Sequence, residues 1–223
     1  MADDRMPAFG ASHARSYAEG PPRQVPGFDG LHRMTSQLLA EQVPAEGRVL
    51  VLGAGGGLEI RALADDHPGW HFTGVDPSPH MLGAAEAQIA PHRQRVELVE
   101  GTIEAAPAGP FDGATCLLTM HFVPAKQRLP TLRAVRERLR PGAPLVMAHI
   151  SFAQTEPERS LWIRRHIAFG GGDPQAQSAV EAMRTRLIVL PPDAEEALLG
   201  EAGFRDVALF YAGLSFRGWI AYA

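Results

Sequence analysis

Five residues in the first quarter of the chain, Gly53-Ala54-Gly55-Gly56-Gly57, have the makings of a ligand cradle. They follow an apolar run, Arg48 to Leu52, and precede a helical pattern that reaches about Asp66. Glycine is needed where the backbone takes positive φ, or where a ligand must approach the main chain with no Cβ in the way. Asp76 lies about 20 residues further on, at the end of a second apolar run. A carboxylate so placed can accept both hydroxyls of a ribose. Asp76 could equally cap the helix that starts beyond Pro77. A dinucleotide site requires G-x-G-x-x-G/A, and its sixth position falls on Leu58. The observed G-x-G-x-G therefore speaks against a nicotinamide oxidoreductase.

A second group of residues could act on an acceptor. His121 lies just past a fourth apolar run expected to end at Thr119-Met120, and the ligand side of such a sheet is the carboxyl end of its strands. An imidazole with an unperturbed pKa near 6.5 suits a general base around neutral pH. Histidine also packs or bonds a loop carbonyl in that position. His149, near the end of the fifth run, is a weaker candidate. Tyr17, Trp162, Arg164, Arg165 and His166 could face a substrate cavity, although arginines on a helix are as readily surface residues.

The elements that must position these groups alternate. Arg48–Leu52, Trp70–Val75, Arg95–Val99, Ala114–Met120 and Leu145–Ile150 read as strands, with helices between them. Strands apolar on both sides imply a parallel sheet covered on both faces. Ala8–Glu19 offers a short helix before this region. Residues 152–190 break the rhythm with two helical stretches around Gly170-Gly171-Gly172. A helix from Asp193 to Ala202 follows, and then two strand-like segments, with Gly213 where a tight hairpin would need it. We expect one domain over 1–223, with 1–45 a helical cap and 152–190 a helical insertion over the site.

Composition narrows the class of partner. The 223 residues are 45% hydrophobic and 21% charged, which excludes a disordered or fibrous chain. A net charge of −4 gives no general electrostatic footprint for nucleic acid or an anionic membrane. Lys126 is the sole lysine, so every other formal cation is an arginine. The single cysteine, Cys116, forms no internal disulfide and no zinc cluster, and no metal site is expected. Met1 to Phe9 lacks a signal-peptide core, and no apolar run approaches the ~18 residues of a membrane span. The expectation is a cytoplasmic protein with a small-molecule substrate; a homodimer is left open.

On these motifs the chain resembles the class I S-adenosylmethionine (SAM) methyltransferases. VLVLGAGGG (49–57) is similar to their first motif and FTGVDPSPHML (72–82) to their ribose strand. EGTIEAA (100–106) is similar to their adenine loop, LRPGAPLVMAHIS (139–151) to their fifth strand, and the carboxyl-terminal segments to their last hairpin. The resemblance implies an α/β Rossmann-like fold with seven strands in the order 3-2-1-4-5-7-6, the last antiparallel. It implies SAM as cofactor, with Gly53, Ala54 and Gly55 at its methionine end and Gly57 letting the next helix start close by. By the same analogy Asp76 holds the ribose with Pro77 beside the adenine. Thr102 and Ile103 flank the adenine edge, Leu117 lies at the strand end, and Phe28 closes over the cofactor. RQVPGF (23–28), LTMHFV (118–123) and FYAGLSFRGWIAYA (210–223) resemble the carboxy-SAM synthase branch more particularly. Thr102 replaces that branch's adenine-loop acid and Leu117 its fourth-strand asparagine. Its carboxylate-binding arginine matches Arg184 only with altered spacing. Val51 replaces the usual acid of the first strand. The expected function is methyl transfer to an O-, N- or S-nucleophile. The alternatives are carboxy-SAM synthesis from SAM and prephenate, or SAM binding without catalysis.

Overall fold

The computed structural model describes residues 20–223. The expected helix at Ala8–Glu19, the first part of the 1–45 cap, and Tyr17 lie outside the described residues. Two helices, α1 (Gly20–Gln24) and α2 (Phe28–Ala40), lead into β1 (Arg48–Leu52). Then follow α3 (Leu58–Asp66), β2 (His71–Asp76), α4 (Pro79–Ile89), β3 (Val96–Glu100) and β4 (Gly113–Leu117). The middle of the chain adds α5 (Ala125–Glu137) and β5 (Pro144–Ile150). Beyond it come α6 (Glu158–Phe169), α7 (Gln177–Arg186), α8 (Pro192–Glu201), β6 (Arg205–Gly213) and β7 (Phe216–Tyr222).

The strands form one sheet in the order β3-β2-β1-β4-β5-β7-β6. The first five are parallel; β7 runs antiparallel to both neighbours. This is the α/β arrangement expected. In β1 the side chains alternate, as the two-residue period of a strand requires. Val49 and Val51 join the core layer containing Leu31, Ile60 and Leu63, while Leu50 and Leu52 join the opposite layer with Leu132, Val135 and Leu199. Both layers are buried, so the strand is apolar from Val49 to Leu52.

The fourth strand is shorter than its apolar run suggests. It ends at Leu117, because Leu118 turns into the left-handed region with φ 55° and Met120–Phe122 forms a 3-10 turn. His121 therefore belongs to that turn and does not emerge directly from a strand end. At the far edge, β6 reaches Gly213 and Leu214 carries the positive φ, 51°, of the hairpin turn. Gly213 is nevertheless required, since a Cβ there would lie 2.3 Å from Tyr211 Oη.

Candidate active site

The β1–α3 turn is shaped by glycine. Gly53, Gly55 and Gly57 all have positive φ, 79°, 49° and 81°. A Cβ on Gly57 would stand 3.0 Å from Ala85 Cα, so its absence lets α3 begin against α4. Asp76, the last residue of β2, ties this turn down. Its Oδ2 accepts from Gly55 N at 2.9 Å and its Oδ1 from Ser78 N at 2.9 Å. Capping of α4 falls to Ser78, whose Oγ accepts from Met81 N at 3.3 Å. Burial pushes the Asp76 carboxyl above its ordinary pKa, against the pull of the two amides.

One cavity of about 820 Å³ opens beside this turn, near the upper end of the roughly 300–1,000 Å³ of small-molecule sites. Of the residues singled out in the sequence, Gly53, Gly55, Asp76, Pro77, Thr102, Ile103, His121 and His166 line it. Ala54, Gly57, Leu117 and Phe28 do not. Ala54 and Leu117 are buried in the core beside the cavity. Phe28 packs edge-on to His32 with ring centroids 4.4 Å apart, and Gln24 of α1 and Val25 just after it line the cavity instead.

Several lining groups carried no sequence signal. Glu104 accepts from the Thr102 hydroxyl, so an acid does reach this loop, two residues later than the family pattern places it. That hydrogen bond holds its carboxyl below the ordinary range. Met81 lines the cavity as well. Of the candidates on α6, only His166 lines it; Arg164 and Arg165 point outward and Arg165 stacks on Trp162 at 4.7 Å.

His121 is almost fully buried. Its Nδ1 accepts from Ile150 N across a long 3.4 Å, and its carbonyl accepts from Ile188 N at 2.8 Å. Burial first, then His149, Arg128 and His166, drive its pKa well below the ordinary value. The ring is thus neutral at pH 7, with Nδ1 taken up by backbone and a proton on Nε2. Behind it, His149 Nε2 lies 2.9 Å from Glu195 Oε1, and Glu195 pairs with Arg128. All three are fully buried and none lines the cavity. Arg128 also donates to the carbonyls of Val123 and Ile188, tying the β4 turn to the exit of the 152–190 segment. Burial pushes the Glu195 carboxyl up, but His149 and Arg128 outweigh it and hold the group below the ordinary range.

Glu59, in the first turn of α3, is a further buried acid. Its Oε1 finds no hydrogen-bond partner among the described residues, and burial pushes its pKa up to about 8 while Thr115 pulls the other way. Thr115 is the register partner of Val51, where the family's first-strand acid is missing.

The comparisons agree with this geometry. A family model described as a methyltransferase domain matches residues 50–145. The carboxy-S-adenosyl-L-methionine synthase of Chromohalobacter salexigens is 26% identical over 208 residues, covering 90% of this chain and 77% of the relative. The synthase of Pseudomonas aeruginosa is 29% identical over 212 residues, covering 89% and 86%. Among solved structures, a SAM-dependent methyltransferase from Aquifex aeolicus matches with TM-score 0.67 at 15% identity, over 96% of this chain and 98% of that one. Human N-acetylserotonin methyltransferase in complex with SAM matches with TM-score 0.60 at 16% identity, over 97% and 59%. The chain spans little more than half of several such structures, and likenesses at these identities speak for the fold. The methyltransferase-domain match and the relatives aligned over about nine-tenths of this chain support its being a class I SAM-dependent methyltransferase. It is an enzyme of methyltransferase type, and SAM is its cofactor.

The cavity fits that group. Each Asp76 oxygen accepts one amide and keeps acceptor capacity for a ribose hydroxyl, and Met81, Pro77 and Ile103 supply apolar wall. Among the described residues no helix is long and apolar enough to cross a membrane.

Proposed function

We propose that the protein transfers a methyl group to a small organic acceptor held between the β4 turn and the 152–190 segment. The observation that supports this reading is the continuity of one cavity from Asp76 and the glycine turn to His121, His166, Leu187 and Phe216. In this reading Gly53, Gly55, Asp76, Pro77, Thr102 and Ile103 hold the cofactor, the described part of the cap closes one side, and the 152–190 segment is the roof. Bound there, SAM supplies an electrophilic methyl group. The protein supplies alignment, which is worth about 7–11 kcal/mol in a well-oriented reaction. His121 offers Nε2–H as a donor that orients the acceptor.

The relatives favour a second reading, carboxy-SAM synthesis from SAM and prephenate. Against it, no lysine or arginine stands among the described residues lining the cavity. Arg184 is engaged by Glu156 at 3.0 Å and Ser160 Oγ at 2.7 Å. Incubation with labelled SAM and a panel of phenols, amines, thiols and carboxylic acids tests the first reading by label transfer. A parallel reaction with prephenate, read by mass spectrometry, tests the second. A carboxylated nucleoside product would displace methyl transfer. SAM binding with no product in either assay would leave a binding protein.

A further inference from the structure

Arg128 of α5, His149 of β5 and Glu195 of α8 lie behind the acceptor end of the cavity without lining it, and all three are fully buried. A buried ion pair rarely stabilises a fold more than apolar residues of the same volume, so the arrangement calls for another reason. Its bonds supply one. Arg128 Nη1 donates to Glu195 Oε1, Nε to Val123 O at 3.3 Å, and Nη2 to Ile188 O. His149 Nε2 meets the same Glu195 oxygen at 2.9 Å. The two carbonyls belong to separate walls of the cavity. Val123 follows the 3-10 turn Met120–Phe122 and lines the cavity itself, while Ile188 follows Leu187, which lines it from the end of the roof. Ile188 is joined to the turn a second time, because its N–H donates to His121 O at 2.8 Å. Residue 188 thus holds His121 with its amide and Arg128 with its carbonyl, and Arg128 closes the ring at Val123.

His121 is the polar group this ring places in the cavity. Ile150 N can only donate, so His121 Nδ1 accepts, and the ring, kept neutral by burial, carries its proton on Nε2. At 3.4 Å that bond is too long to hold the imidazole by itself. The backbone beneath the imidazole is held instead, through Ile188 and Arg128. We propose that Arg128, anchored by Glu195 and His149, is a positioning residue that fixes the β4 turn against Ile188 and so keeps His121 Nε2–H directed at the acceptor. This rests on the methyl-transfer reading and adds the group that holds its donor in place. Lysine is no equivalent, since a compact ammonium lacks the planar fork that reaches the three oxygens.

The test is nitrogen NMR of the full chain with labelled histidine, saturated with S-adenosylhomocysteine, with His121 assigned through His121→Gln. The parent protein should show His121 as a single Nε2–H tautomer near neutral pH. Arg128→Lys keeps a cation beside Glu195, yet should turn that signal into a mixture of both tautomers. Its affinity for S-adenosylhomocysteine should stay within about twofold of the parent's in calorimetry, because the lost bonds share no partner with the glycine turn or Asp76. Arg128→Met combined with Glu195→Gln, which strands no charge, should behave in the same way. A His121 signal identical with the parent's in either variant would overturn the positioning role. Loss of S-adenosylhomocysteine binding in step with the tautomer would also overturn it, since that marks a general loosening. A parent His121 protonated on Nδ1 would instead overturn its place as the donor. Failure of S-adenosylhomocysteine to bind the parent would overturn the cofactor reading itself.

Discussion

Asp76 and Gly55 are joined by a 2.9 Å hydrogen bond from the glycine amide to Oδ2. The proposed ribose acceptor is thus also the clasp of the loop that receives the other end of the cofactor. Asp76→Ala should weaken SAM binding by roughly 2–4 kcal/mol, through lost ribose contacts and a loosened loop. Asp76→Asn should rescue little, because one of the two amide donors then faces an NH₂ group. Calorimetry on both variants checks this.

Ligand linkage gives a second expectation. At about a hundredfold above its dissociation constant, SAM or S-adenosylhomocysteine should stabilise the fold by ~2.7 kcal/mol, and NAD should not. For a chain of this size the midpoint rises roughly 5–10 °C, readable by thermal denaturation.

Glu59 sets a pH dependence of stability. Its folded pKa is raised to about 8, so between its ordinary value of 4.5 and about 8 the fold holds a proton that the unfolded chain releases. That contribution is complete below 4.5 and is lost as pH rises through about 8. Glu59→Gln should therefore gain on the parent protein as pH rises, by roughly 3–5 kcal/mol across that window. Urea midpoints of the two proteins at the ends of the window measure it.

Arg128→Met strands the Glu195 carboxylate in the interior. Removing one partner of a buried pair costs about 3–5 kcal/mol, so the thermal midpoint should fall by roughly 6–20 °C. Adding Glu195→Gln should recover part of the loss, and calorimetric unfolding of the double variant shows whether it does.

The pH–rate profile should lack a histidine limb near the unperturbed value of about 6.5. His121 is held well below that value and His166 is lowered to about 4. A measured kcat/KM that stays level as pH falls from 7.5 to 5.5 agrees; a limb abolished by His121→Ala would restore it as the titrating base.

The strands β1, β2 and β5 were legible because they are apolar runs between glycine and proline punctuation, whereas their order in the sheet came from the family resemblance. The cofactor end was legible because glycines and one carboxylate must sit at fixed places along a strand–turn–helix unit. The roof was not. The run Leu117-Leu118-Thr119-Met120 looks like continuing strand, and nothing in its hydrophobicity announces the positive φ at Leu118. Arg128, His149 and Glu195 come from three separate elements; Arg128 and Glu195 read alone as ordinary helix surface, and His149, a weaker candidate base by sequence, is instead buried against them. Glu104 escaped notice because the family pattern expects its acid at position 102, and a 3-10 turn brings the later residue round.

Tyr211 Oη donates to Pro26 O at 2.6 Å across 185 residues of chain. The segment beside α1, among the first described parts to leave the ribosome, is thus anchored by a strand made almost last. During synthesis the glycine turn can form long before this anchor exists. Nascent chains arrested before residue 211 should hold a half-built cleft, and full cofactor retention should arrive only with the closing hairpin.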